Sequence, residues 1–262
     1  MHNVMRDVRE FEGLYARLED MKKRAIRGEL GISAFLSPRE LHYACAYLGS
    51  EGYITYGGYG DAERKRIYFL PDYMEGVIDV SSFADFGEES GIDTVFVKGS
   101  GFVRLSHRDF MGSLLGMGIE RSVIGDIVVL DGESAVVMCD AKIADFLINE
   151  WTEVGHDKVR CSRVDLDGDF VPERRYAPIS DTIASARLDC IVAALCNLSR
   201  ERARVCVVSG LCELDYECEE RPDREVTPPA LISVRGYGKF RVNSIGDPTK
   251  KGRLRLTAQK FL

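Results

Sequence analysis

The chain has 262 residues and a mass of 29.3 kDa, enough for two or three compact domains. Hydrophobic residues make up 45%, so real cores are expected, and no apolar run reaches the length that spans a bilayer. The net charge of −7 excludes a uniformly basic nucleic-acid binder. Acidic and basic residues alternate near the N-terminus, unlike a signal peptide, so a cytoplasmic location is expected.

The first segment, residues 1–75, reads as an N-terminal α/β region. Val4, Val8, Phe11, Leu14, Tyr15, Leu18, Met21 and Ala25 carry helical spacing. Ser37-Pro38-Arg39-Glu40 combines an N-cap, a proline at the first helical position and a capping-box glutamate, predicting a helix that ends near Gly49. Tyr53-Ile54-Thr55-Tyr56 and Ile67-Tyr68-Phe69-Leu70 read as strands around the turn Gly57-Gly58-Tyr59-Gly60-Asp61.

Residues 76–168 give the order β-α-β-β-α-β: strand 92–97, a helix opened by Ser106-His107-Arg108-Asp109, strands 126–130 and 134–138 around Asp131-Gly132-Glu133, a helix from Asp140, and strand 159–166. This is the ferredoxin-like plan, also used by RNA-recognition domains. The aromatic pair those domains use to stack bases is not evident on its strands.

A polar stretch, residues 169–183, with Pro172 and Pro178, reads as a linker. Beyond it the charge reverses. From residue 184 onward there are 14 Lys and Arg against 10 Asp and Glu, a net of +4, leaving −11 for the remainder. An acidic body with a basic end directs anionic ligands to that end, and the run from Lys250 to Arg255 strengthens it. Leu188, Ile191, Val192 and Leu195 form one helical stripe, and Ser199 caps a second helix carrying Ala203, Cys206 and Val207. Arg200 and Arg204, four apart, share a face beside that stripe. Guanidinium groups at a helix start, with free N–H groups nearby, suit phosphate.

With Arg187-Leu188-Asp189 and the turn Ser209-Gly210-Leu211, this order resembles an S4 RNA-binding module. Two further stretches are similar to the bacterial YlmH family: Gly57-Gly58-Tyr59 with Ala62-Glu63-Arg64-Lys65-Arg66, and the run from Leu105 to Ile119 with Ile124-Gly125-Asp126-Ile127. The run from Ile232 to Phe240 matches the family's C-terminal end. The resemblance covers nearly the whole chain. It implies a multidomain α+β, non-catalytic RNA-binding protein with an S4 domain at residues 184–262. Its expected partners are structured rRNA or tRNA on the large ribosomal subunit, in rescue of stalled subunits that hold peptidyl-tRNA. Protein partners on the ribosome are also expected, but neither DNA nor a membrane.

The implied RNA contacts fall on Arg187, Ser199, Arg200 and Arg204, and the wider candidate set adds Arg202, Arg235, Lys239 and Arg241. Arg64, Lys65, Arg66, His107 and Arg108 are candidates for a second contact. Glu213, Asp215 and Glu217 depart from the family pattern and are expected to narrow the S4 surface. Asp189 is expected to orient Arg187 rather than to touch RNA.

No cofactor or metal is expected. The eight cysteines contain no C-x-x-C pair and no histidine lies near the last five, so they read as reduced thiols, several in the core. His107-Arg108-Asp109 spells part of a kinase catalytic loop but lacks its companions. Arg187-Leu188-Asp189 resembles the catalytic motif of pseudouridine synthases, with too little chain after it for a synthase domain. The rival class, an RNA-modifying enzyme whose S4 module delivers substrate, requires an apolar pocket with a perturbed acid or base in residues 76–168. An adaptor that binds proteins through the acidic body is compatible with RNA binding.

Overall fold

The computed structural model describes residues 2–74, 90–166, 170–172, 176–250 and 252–261, with side chains from residue 10 onward. The chain is a mixed α and β protein that divides into two units, Met1–Pro172 and Glu173–Leu262.

The first unit opens with α1 (His2–Ile26), whose apolar stripe buries Phe11, Leu14, Leu18 and Ala25. The expected burial of Val4 and Val8 lies outside the described side chains. These residues pack with Tyr43 and Ala44 of α2 (Pro38–Leu48) and with Ile67 and Phe69 of β3 (Arg66–Phe69). The α2 start forms as its sequence dictates: the Ser37 N–H donates to the Glu40 carboxylate at 2.7 Å, and Pro38 occupies the first turn, where no N–H is needed. Strands β1 (Gly31–Ile32) and β2 (Ile54–Tyr56) flank β3 in an antiparallel sheet.

The same unit continues with β4 (Ile92–Lys98), α3 (His107–Gly116), β5 (Ile124–Val129), β6 (Ser134–Asp140) and α4 (Ala141–Glu150). A small hairpin, β7 (Glu153–Val154) and β8 (Asp157–Lys158), precedes β9 (Arg160–Arg163). The four long strands lie in the order β5-β6-β4-β9, antiparallel throughout. The β5–β6 hairpin turns where Asp131 accepts the N–H groups of Glu133 and Ser134. On one face Val95, Val97, Val137 and Cys139 bury Phe110, Leu114, Ala144, Leu147 and Trp151 of the helices. The other face is also covered. Phe35, Tyr56, Tyr59 and Tyr68 pack against Ile92, Val136 and Met138. The segments expected as separate regions, 1–75 and 76–168, therefore share one core.

The second unit corrects the expected linker. Residues 176–183 form β10 (Tyr176–Ile183), paired along its length with β15 (Leu254–Phe261). Pro178 is tolerated because β10 is an edge strand, where a missing N–H costs no ladder bond. Then come α5 (Leu188–Leu195), α6 (Arg200–Val208), β11 (Cys212–Leu214), β12 (Glu217–Cys218), β13 (Ala230–Val234) and β14 (Gly238–Pro248). The sheet order is β10-β15-β14-β13-β11-β12. Leu188, Ile191, Val192, Leu195, Ala203 and Val207 of the helices bury against Ile232, Val234, Phe240, Val242 and Leu256. Each buried Leu, Ile, Val or Phe side chain among them contributes about 1.5–3 kcal/mol. Cys190 and Cys212 belong to this core, and all eight cysteines are free thiols.

Candidate nucleic-acid interface

Arg187 precedes α5 in an extended conformation, and Arg200 is the first residue of α6. Between them sits Asp189, 2% exposed. Arg187 donates through Nε and Nη2 to the two carboxylate oxygens at 3.1 and 3.2 Å. Arg200 Nε donates to Oδ2 at 3.3 Å, and the Cys190 N–H donates to Oδ1 at 2.9 Å. Burial acts to raise the Asp189 pKa, but the hydrogen bonds from Arg187, Arg200 and Cys190 outweigh it and hold the group below its ordinary value. Hydrogen bonding to Asp189 likewise raises Arg187. The two guanidinium side chains remain 40% and 59% exposed. One buried carboxylate thus spaces two outward-facing cations, one just before α5 and one opening α6.

The positive charge of the cluster comes from these side chains, and the backbone donors at the start of α5 are occupied. The first N–H groups of α5 are taken: Leu188 donates to the Arg224 carbonyl at 2.8 Å and Asp189 to the Pro222 carbonyl at 3.0 Å. Ser199 acts as the α6 cap, its Oγ accepting the Arg202 N–H at 3.3 Å. Arg204 lies one turn beyond Arg200, exposed and 3.5 Å from Glu201. Arg202 is exposed on a different side of the helix, as a two-residue offset requires. Asp215 holds a turn, accepting the Leu231 N–H at 2.8 Å, while Glu213 and Glu217 are exposed.

The candidates Arg235, Lys239 and Arg241 do not join this cluster. In the register of β13 and β14, Phe240 and Val242 point into the core under α5 and α6. Lys239 and Arg241 alternate with them and so stand on the opposite face of the sheet. Arg235 is exposed in the turn that follows β13.

The second candidate cluster is largely structural. Arg66 is 3% exposed, pairs with Asp140 at 2.6 Å, donates to the Gly91 carbonyl at 2.9 Å and stacks 4.4 Å from the Phe35 ring centroid. It is buried away from any phosphate. Arg64 donates to the carbonyls of Ile124, Phe35 and Arg121 at 2.8–3.1 Å. The residue that organises this region is Asp126, which accepts the Tyr59 hydroxyl at 2.6 Å and the N–H groups of Glu63 and Arg64 at 2.7 and 2.9 Å. Gly57 and Gly125 are small because neighbours crowd them: a Cβ on Gly57 would overlap the Arg64 carbonyl, and one on Gly125 would lie 2.8 Å from the Phe35 ring. The long motifs around residues 57–66 and 124–127 therefore lock the N-terminal strands onto the four-stranded sheet. Lys65 is half-buried, whereas His107 and Arg108 are exposed. Partial desolvation and the nearby Arg121 charge lower the His107 pKa, which favours the neutral ring.

Several carboxylates in residues 90–166 are held below their ordinary range by hydrogen bonds: Asp109 by Ser106, Asp131 by Glu133 and Ser134, Asp157 by Ser100, and Glu153 by Lys158. Among the described residues no group of three or more His, Cys, Asp or Glu is placed to hold a metal ion, and no helix is long and apolar enough to cross a membrane.

These features define a mixed α and β protein with a cation cluster ordered by a buried carboxylate. Residues 93–168 match the family model described as "Putative RNA-binding domain in YlmH". The chain is 31% identical over 232 residues to the ribosome-associated protein quality control protein P2 of Bacillus subtilis (strain 168), covering 87% of this chain and 86% of that protein. It also aligns with the structure of the cell division protein ylmH from Streptococcus pneumoniae at TM-score 0.47 and 22% identity, covering 60% of this chain and 91% of that one. The chain belongs to the YlmH family.

Proposed function

We propose that this chain is a cytoplasmic, non-catalytic RNA-binding protein acting on the large ribosomal subunit, where α5 and α6 form an S4-type module that grips structured rRNA or tRNA. The observation that carries this reading is the Asp189 carboxylate holding Arg187 and Arg200 together, with both side chains open to solvent. Two guanidinium forks fixed at one spacing suit phosphates of a folded RNA, because their geometry is set before binding. The role in ribosome-associated quality control is taken from the name of the Bacillus subtilis relative.

Residues 90–166 fit a ferredoxin-like domain: counted along the chain, their strands lie in the order 4-1-3-2, with both helices on one face. Because Phe35, Tyr56, Tyr59 and Tyr68 cover the other face, RNA contact by this segment would use its helices, loops and edges. Exposure of His107 and Arg108 at the start of α3 supports such a contact there. The protein stabilises a ribosomal state and makes no bond.

The test is a salt titration of RNA binding with the full chain and a fragment of large-subunit rRNA. The logarithm of affinity should fall linearly with that of salt concentration, and the Arg200→Ala/Arg204→Ala variant should lower the slope by about two. Affinity that is indifferent to salt, or a slope unchanged in the variant, contradicts the proposal.

A further inference from the structure

The two main sheets differ in one respect. The four-stranded sheet of the first unit is covered on both faces, by helices on one and by the N-terminal strands on the other. The six-stranded sheet of the second unit carries α5 and α6 on one face. Among the described residues its opposite face stays open. Strand register places Tyr176 beside Phe261 on that face, with their rings 5.2 Å apart and nearly perpendicular. Lys239 Nζ lies 5.1 Å from the Phe261 ring centroid and 5.7 Å from that of Tyr216, and the Arg241 guanidinium lies 5.6 Å from Phe261. Farther along β15 the same face presents Gln259, Thr257 and Arg255, in register with the core-facing Ala258 and Leu256 between them.

We propose that this open face is a second RNA-binding surface, a stacking platform for a single-stranded segment that adjoins the structured RNA held by α5 and α6. The inference rests on the RNA-binding reading given above. Its support is the company the rings keep. The charged strand residues of the face are Lys239, Arg241 and Arg255, opposed by Glu213 toward the far edge, in a chain whose net charge is −7. Cations interleaved with half-exposed aromatic rings match a polyanion that also has π-faces. Bases would stack on the rings in place of the cations that now lie over them, and the cations would turn to the phosphates. A protein partner is less well matched, since such a surface seeks a broad apolar centre and this one offers a few rings set among charge and hydroxyls. Strands about 4.8 Å apart set the rings and cations at nucleotide scale.

The experiment compares two RNA probes on the full chain by fluorescence anisotropy: a blunt hairpin from large-subunit rRNA, and the same hairpin with a single-stranded uridine tail. The tail should tighten binding about tenfold, the effect of stacking one or two bases. Phe261→Leu keeps apolar packing but removes the ring, and should abolish the gain while leaving hairpin affinity unchanged. Lys239→Ala/Arg241→Ala should do the same. Arg200→Ala/Arg204→Ala should weaken both probes equally and keep the gain. A tail that adds nothing, or a gain that survives both sheet variants, overturns the platform. Tail binding without hairpin binding would uphold it while the helix site fails. If neither RNA binds and a protein protects this face instead, the platform is likewise overturned.

Discussion

Arg200 and Asp189 lie in different helices, yet Arg200 Nε donates to the Asp189 carboxylate at 3.3 Å, and Arg187 grips the same group from the other side. The contact does two jobs. It ties the start of α6 to the first turn of α5, and it fixes two guanidinium groups beside each other.

Replacing Asp189 by alanine should therefore lower both stability and RNA affinity. Loss of hydrogen bonds to a charged, buried acceptor costs about 1.5–3 kcal/mol each in comparable settings, discounted here because both arginines are partly exposed. Urea unfolding at neutral pH should show a loss near the lower figure. The folded Asp189 pKa lies below its ordinary value, so its stabilisation is fully present above the unfolded value of about 3.9 and is lost as pH falls through the folded value. Asp189→Asn should flatten that acid limb. An acid limb that is unchanged would remove Asp189 from the account.

Arg66 should behave as a core residue and not as a phosphate contact. Arg66→Ala leaves Asp140 unpaired beside the sheet and should destabilise the first unit by about 3–5 kcal/mol. Arg66→Lys should rescue little, because one fork reaches both Asp140 and the Gly91 carbonyl. At temperatures where the variant remains folded, RNA affinity should equal that of the native chain. Binding loss without loss of stability would point to the opposite role.

Two glycines in the same turn should respond differently to alanine. At Gly57 a new methyl group overlaps the Arg64 carbonyl, whereas at Gly60 nothing lies within 4 Å. Gly57→Ala should cost about 1–3 kcal/mol by overpacking, and Gly60→Ala should be close to neutral. Thermal denaturation of the pair checks this directly.

Thiol reactivity should follow burial. Burial pushes Cys139 and Cys212 up to about 12 and Cys161 and Cys196 up to about 11, so these stay protonated and slow. Cys218 is exposed. Mass spectrometry after brief alkylation should find Cys218 modified and Cys139 and Cys212 intact until the chain is unfolded.

The local signals were legible. Ser37 with Glu40, Asp131 with Gly132, and the stripe Leu188, Ile191, Val192 and Leu195 each lie within a few residues of their partners, and each forms its element. Asp126 was not legible as an organiser, because its partners Tyr59, Glu63 and Arg64 lie more than sixty residues away in the chain. Tyr176 was hidden by neighbouring prolines that read as linker, although an edge strand accepts Pro178. Basic residues grouped by their place in the sequence proved to sit on two faces, since strand alternation sends Lys239 and Arg241 away from the helices that carry Arg200 and Arg204.

The proposed attachment of this protein to the large ribosomal subunit rests on the α5–α6 cation cluster. The most direct measurement is sucrose-gradient co-sedimentation with separated subunits, using the native chain and the Arg200→Ala/Arg204→Ala variant. Native protein should travel with the large subunit, and the variant should remain at the top of the gradient. Native protein at the top, with or without peptidyl-tRNA on the subunit, or a variant that co-sediments unchanged, would contradict the account.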